Sequence, residues 1–183
     1  MIISLVIAGL VIGVDQLTKF LIYGTTAKSI VGNLLWFEST LNTGVAFSMF
    51  EGKSYLFIII SSLASLVLIW LICSKKYFTA KFEKIVFGFI LGGTVGNLID
   101  RIFFGGVRDF ISLKFLNFAI FNVADMAISL SAIAFCVYLL LSMLKKDNKE
   151  DKQVVSQETN DLGDKSNDWV KWRTWSSRPW WKN

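Results

Sequence analysis

The sequence contains no histidine, only two cysteines and, over its first 144 positions, only four aspartates. Without histidine, the most common general base and the most common zinc ligand are both excluded. The cysteines, Cys73 and Cys136, lie in or at the ends of apolar runs. Their spacing forms neither a metal site nor a disulfide framework, so they are read as packing residues. The aspartates are Asp15, Asp100, Asp109 and Asp125, each at or beside one end of a hydrophobic segment. An ionisable side chain in membrane-spanning sequence is costly and by default marks a function. Four of them at one depth point to carboxylate chemistry at a membrane surface.

What the chain has in abundance is apolar sequence. Of 183 residues, 54% are hydrophobic, and the mean hydropathy is +0.53. Runs of about 20 apolar residues cross a bilayer as helices. Four are predicted, over residues 2–23, 55–73, 85–104 and 121–144. The first lacks a basic leader and a small-residue cleavage site, and it carries Asp15, Gln16 and Lys19 inside its apolar run. It is read as a retained helix. The net charge of +5 is concentrated in alternate loops, with Lys75, Lys76, Lys81 and Lys84 between spans two and three and Lys145 and Lys146 after span four. That distribution argues against nucleic acid and places both termini in the cytoplasm. Asp15, Lys19, Asn97, Asp100, Arg101, Asp109, Asn122 and Asp125 then all approach the outer face.

The expected fold is an all-α polytopic membrane protein of four transmembrane helices, with a small extracytoplasmic β element. The outer loop, residues 24–53, holds a Gly32-Asn33 turn signal between Ser29-Ile-Val and Leu34-Leu-Trp-Phe, which suits a hairpin. Its Trp36, Phe47 and Phe50 suit the headgroup region. Residues 105–120 mix apolar and polar side chains and read as an interfacial segment whose periodicity leaves helix and strand open. Residues 1–146 form the membrane domain. Residues 147–183 form a polar cytoplasmic tail with seven basic and seven acidic residues, expected to be disordered. Five of the seven tryptophans fall there, at 169, 172, 175, 180 and 181. The tail is read as an extension without catalytic role.

Asp15 and Lys19, four apart on one helix face, are read as an ion pair facing the bundle interior. Gly92 and Gly96 form a small-xxx-small surface for close helix approach. Asn42 and Gly44 mark a turn; Gly44 allows close approach of a ligand, and Asn42 offers hydrogen bonds. Asp109 and Asp125 flank a membrane boundary, with Asn122 one turn before Asp125. Two carboxyls in one pocket resist double ionisation, so one keeps a proton while the other accepts one. That equips a pair for water-mediated peptide hydrolysis. The plainer reading, two acids at a helix N-terminus, is equally consistent with the residues alone.

Asp15-Gln-Leu-Thr-Lys19, Asn42-Thr-Gly-Val-Ala-Phe47, Gly96-Asn-Leu-Ile-Asp-Arg101, Val107-Arg-Asp-Phe110 and Phe121-Asn-Val-Ala-Asp125 together resemble the ordered motifs of bacterial lipoprotein signal peptidase, signal peptidase II, across residues 10–145. The resemblance implies an aspartic membrane endopeptidase. Such an enzyme cuts prolipoproteins on the amino side of a cysteine carrying a diacylglyceryl group. Asp109 and Asp125 correspond to its catalytic pair, and Asp15, Asn42, Asn97, Asp100, Arg101 and Asn122 to its supporting and substrate-contacting positions. It also implies an outer β cradle, a short interfacial helix over residues 105–120, and no metal or cofactor. The expected partners are a lipid-modified prolipoprotein and membrane lipids. The expected location is the bacterial cytoplasmic membrane, with the site at the outer leaflet. Three positions depart from the pattern: Val45 for an alanine, Met126 for a serine, and Arg108 for an apolar residue. If the Arg108 guanidinium reaches Asp109, it favours the ionised carboxylate.

Rival readings remain at this stage. A transporter or proton relay would use the same aspartates but spread polar residues through both leaflets. A noncatalytic assembly factor would use them for structure only. A Ser–Lys peptidase would need Lys19 beside Ser39 or Ser48.

Overall fold

The structure, a computed structural model, describes residues 1–32, 34–44, 53–74, 80–116 and 118–176. Among these, four helices are long and apolar enough to cross a membrane: α1 (Ile2–Ile22), α2 (Ser54–Cys73), α3 (Lys81–Phe104), and the Val123–Asp147 portion of α4 (Val123–Ser176). Their outward faces remain apolar and exposed, as at Leu10, Phe20, Leu63 and Leu130. Such surfaces suit hydrocarbon surroundings, where helices satisfy their own backbone hydrogen bonds. Cys73 and Cys136 are free and exposed, so neither fills a protein core as expected.

Helix α3 is the central element, and its glycines explain why. A Cβ at Gly88 would lie 2.8 Å from the Ser4 carbonyl oxygen, and one at Gly92 would lie 2.8 Å from that of Ala8. On another side, a Cβ at Gly93 would lie 2.5 Å from the Ala124 carbonyl oxygen. Bare backbone therefore lets α3 meet both α1 and the start of α4 at close range. The helix ends at Gly105, whose φ of 70° suits the left-handed cap that glycine adopts without strain.

Three antiparallel strands sit beside these helix ends, in the order β1 (Lys28–Val31), β2 (Leu35–Asn42), β3 (Val107–Leu113). The expected hairpin is present: Ser29 pairs with Trp36, and Gly32 takes a φ of 48° at the turn. Asn33, Phe47, Phe50, Val45, Lys75 and Lys76 lie outside the described residues. Residues 105–120 do not form the expected interfacial helix. Val107–Leu113 is a strand, and only Lys114–Leu116 makes a turn of 3₁₀ helix. The deciding partner is distant in sequence: β2 offers a free edge, and β3 takes it through pairs such as Thr40 with Asp109 and Asn42 with Val107.

The chain divides into a unit of Met1–Cys136 and a unit of Val137–Asn183. Within the second, α4 continues as helix to Ser176, where the composition suggested disorder. No proline falls between Val123 and Ser176, and propagating a helix costs less than nucleating one.

Candidate active site

The buried charged side chains among the described residues are Asp15, Lys19, Asp100, Arg108 and Asp109, and all belong to one cluster. A relay crossing the bundle would need such groups at several depths. Their assembly follows from local geometry. Asp15 and Lys19 share a face of α1 one turn apart, and Lys19 Nζ lies 2.8 Å from Asp15 Oδ2. Asn97, Asp100 and Arg101 share a face of α3 by the same spacing. Lys19 also bridges to Asp100 Oδ2 at 3.1 Å. A Cβ at residue 96 would lie 2.7 Å from Asp15 Oδ2, so Gly96 provides the room for that carboxylate.

The catalytic candidates arrive from two further elements. Asn42 opposes Val107 across β2 and β3, so Asp109, two residues on, is its diagonal neighbour on the same face. Asn42 Nδ2 donates to Asp109 Oδ2 at 3.0 Å, while Asn42 Oδ1 accepts the Gly44 N–H at 3.0 Å. Asp125 belongs to a reciprocal cap at the start of α4. Its N–H donates to Asn122 Oδ1 at 2.9 Å, and its Oδ2 accepts the Asn122 N–H at 3.1 Å. The Asn122 oxygen is thereby committed, and its Nδ2 donates to Asp109 Oδ1 at 2.6 Å. Asn97 Nδ2 donates to Asp125 Oδ1 at 2.8 Å. One connected set of amides thus holds both carboxylates.

Asp109 and Asp125 line the same cleft of about 580 Å³, together with Asn42, Gly44, Asn97 and Arg101. Apolar side chains, among them Phe118, Phe121 and Leu130, form the rest of its wall. Burial and the neighbouring Asp125 carboxylate push the Asp109 carboxyl up to about 7, against the opposing hydrogen bonds from Asn42 and Asn122. A carboxyl poised there can hold a proton or release one near neutrality, as general acid–base work requires.

Arg108 does not act on Asp109. Successive strand residues face opposite ways, so the guanidinium turns to the other side of β3. Arg108 Nη2 lies 2.7 Å from Asp100 Oδ1 and 2.8 Å from Gln16 Oε1, with the guanidinium 4.0 Å from the Phe104 ring centroid. Gln16 was not among the residues singled out for a role, yet its Nε2 reaches Asp15, the Gly96 carbonyl and Asp100. A polar residue inside an apolar run was the available signal. The Ser–Lys alternative finds no support, since the Lys19 contacts go to Asp15, Asp100 and Asn97, and Ser39 Oγ accepts the Gly24 N–H. Ser48 lies outside the described residues. No group of three or more metal-ligating side chains occurs among the described residues.

Known proteins resemble this chain over most of its length. Residues 7–141 match the family described as Signal peptidase (SPase) II. The chain is 34% identical over 156 residues to a lipoprotein signal peptidase of Enterococcus faecalis (strain ATCC 700802 / V583), covering 83% of this chain and 95% of that one. It is 39% identical over 139 residues to one from Parasynechococcus marenigrum (strain WH8102), covering 73% and 86%. A solved bacterial membrane enzyme superposes with a TM-score of 0.69 at 28% identity, over 76% of this chain and 88% of the other. The matched region takes in every one of those motifs and both carboxylates, Asp109 and Asp125, and this chain belongs to the signal peptidase II family.

Proposed function

We propose that this chain is a membrane aspartic endopeptidase that removes the signal peptide from diacylglyceryl-modified prolipoproteins, cutting on the amino side of the lipidated cysteine. Asp109 and Asp125 are the catalytic pair. The observation that carries the reading is the amide set of Asn42, Asn97 and Asn122, which holds both carboxylates at one cleft among membrane helices. The ionised member takes a proton from water, whose oxygen attacks the scissile carbonyl. The protonated member assists the carbonyl oxygen and then the leaving amine. Arg101, in the same cleft, supplies positive charge beside them. The apolar wall accepts acyl chains, so binding energy remote from the scissile bond orients it.

The lysines flanking α3 and the membrane-spanning part of α4 favour cytoplasmic termini, which puts the cleft at the outer leaflet. A substrate anchored by its lipid meets the enzyme there. Residues 1–146 form the catalytic domain in this reading, and the helical extension beyond takes no part. The partners are the prolipoprotein and membrane lipid, with no nucleic acid and no metal.

The test uses purified protein with a diacylglyceryl prolipoprotein and the same substrate lacking its lipid. Cleavage of the first alone is expected, with Asp109→Asn and Asp125→Asn inserted but inactive. Turnover by either variant would overturn the assignment, and so would inhibition by a chelator that added metal reverses.

A further inference from the structure

Lys19 is completely buried, and none of its hydrogen bonds or ion pairs reaches either member of the carboxylate pair. Its ammonium has three donors. They go to Asp15 Oδ2 at 2.8 Å, Asp100 Oδ2 at 3.1 Å and Asn97 Oδ1 at 3.0 Å. Each acceptor is one contact away from the pair. Asp15 Oδ1 accepts the N–H of Ala124 at 2.9 Å, the residue just before Asp125. Asp100 Oδ2 accepts the N–H of Arg108 at 2.9 Å, the residue just before Asp109. Asn97 Nδ2 donates to Asp125 itself.

We propose that Lys19 is a positioning residue that fixes the spacing and orientation of the two catalytic carboxylates, a role separable from balancing buried charge. The proposal rests on the assignment of Asp109 and Asp125 as the pair. One ammonium ties together two carboxylates, and those carboxylates grip the backbone directly upstream of each catalytic side chain. Two segments remote in sequence are thereby referred to a single point. The third donor sets the Asn97 amide. With its oxygen held by Lys19 and by Asn122 Nδ2 at 3.1 Å, its nitrogen must face Asp125. A reversed amide would turn its NH₂ toward an ammonium and another donor, and its oxygen toward a carboxylate.

Arg108 makes the two roles separable. Asp15 and Asp100 are balanced by Lys19 and Arg108, and Asp100 keeps the Arg108 partner when Lys19 is removed. The double variant Lys19→Met with Asp15→Asn therefore leaves a neutral cluster. The new amide oxygen at position 15 can still accept the Ala124 N–H.

The experiment compares Lys19→Met, the double variant and the unaltered protein by thermal unfolding in detergent and by kcat and KM on lipid-modified prolipoprotein. The single variant is expected to lose both stability and turnover. The double variant is expected to regain the unfolding temperature but stay about ten- to a hundredfold low in kcat at similar KM, the size of one charge-assisted hydrogen bond. A double variant with unaltered kcat would overturn the proposal. Should it not insert, Asn97→Ala keeps the ion cluster whole. The same kcat loss is expected there, and unchanged kcat would be fatal. Should the unaltered protein cut no prolipoprotein, the functional assignment fails by itself. The Asn97 side-chain amide, followed by NMR in labelled protein, is still expected to be locked in the unaltered protein and averaging in the double variant. A locked amide in both would refute positioning.

Discussion

Replacing Asp109 by asparagine is expected to destroy turnover and, at alkaline pH, to stabilise the protein. An ordinary aspartate carboxyl titrates at 3.8, whereas this one is pushed up to about 7. Between those values the native state binds a proton that the unfolded chain has released, so stability falls as pH rises across the interval. Above about 7 the cost is fully expressed. At about 1.4 kcal/mol per pH unit, it reaches roughly 4 kcal/mol. Asparagine removes that cost but offers only one oxygen where Asn42 and Asn122 both donate. One donor then faces an NH₂ group, at about 1–3 kcal/mol. The net gain at pH 8 is about 1–3 kcal/mol, or roughly 2–10 °C in Tm for a chain this size. At pH 4 the sign reverses, because the aspartate is neutral there and only the lost hydrogen bond remains. Thermal unfolding in detergent at several pH values reads the effect. A difference between variant and parent that stays constant from pH 4 to 8 would refute the argument that a second buried charge at Asp109 opposes folding.

The same titration governs turnover: kcat/KM should decline as pH rises through about 7, where the pair loses its shared proton, and a rate still climbing to pH 9 would contradict it. Gly96→Ala would set a Cβ 2.7 Å from Asp15 Oδ2. It should cost about 1–3 kcal/mol in detergent unfolding and reduce activity, whereas a neutral effect would show that α1 and α3 have slack at this point. Truncation after Asp147 should leave prolipoprotein cleavage within about twofold, since termini tolerate change. Loss of cleavage in a normally inserted truncation would assign the extension a role.

The amino-acid sequence determined what depends on neighbours in the chain. Apolar runs set four helices, the i to i+4 spacing made Asp15 and Lys19 a pair, and the Gly-Asn signal set the hairpin of β1 and β2. The interval from Asn122 to Asp125 likewise carried its own cap. Only the tertiary structure decided the contacts between distant segments. Residues 107–113 became a strand because β2 had an edge to pair with, and a mixed periodicity gave no hint of that partner. The direction of Arg108 followed from that strand's pleat, which sent its charge to Asp100 and left Asp109 to the asparagines. Asp15 reaches the Ala124 N–H across 109 positions. Periodicity reports the face a side chain takes on its own element. Which backbone amide waits opposite is fixed only when the bare glycine surfaces of α3 bring the helix ends together.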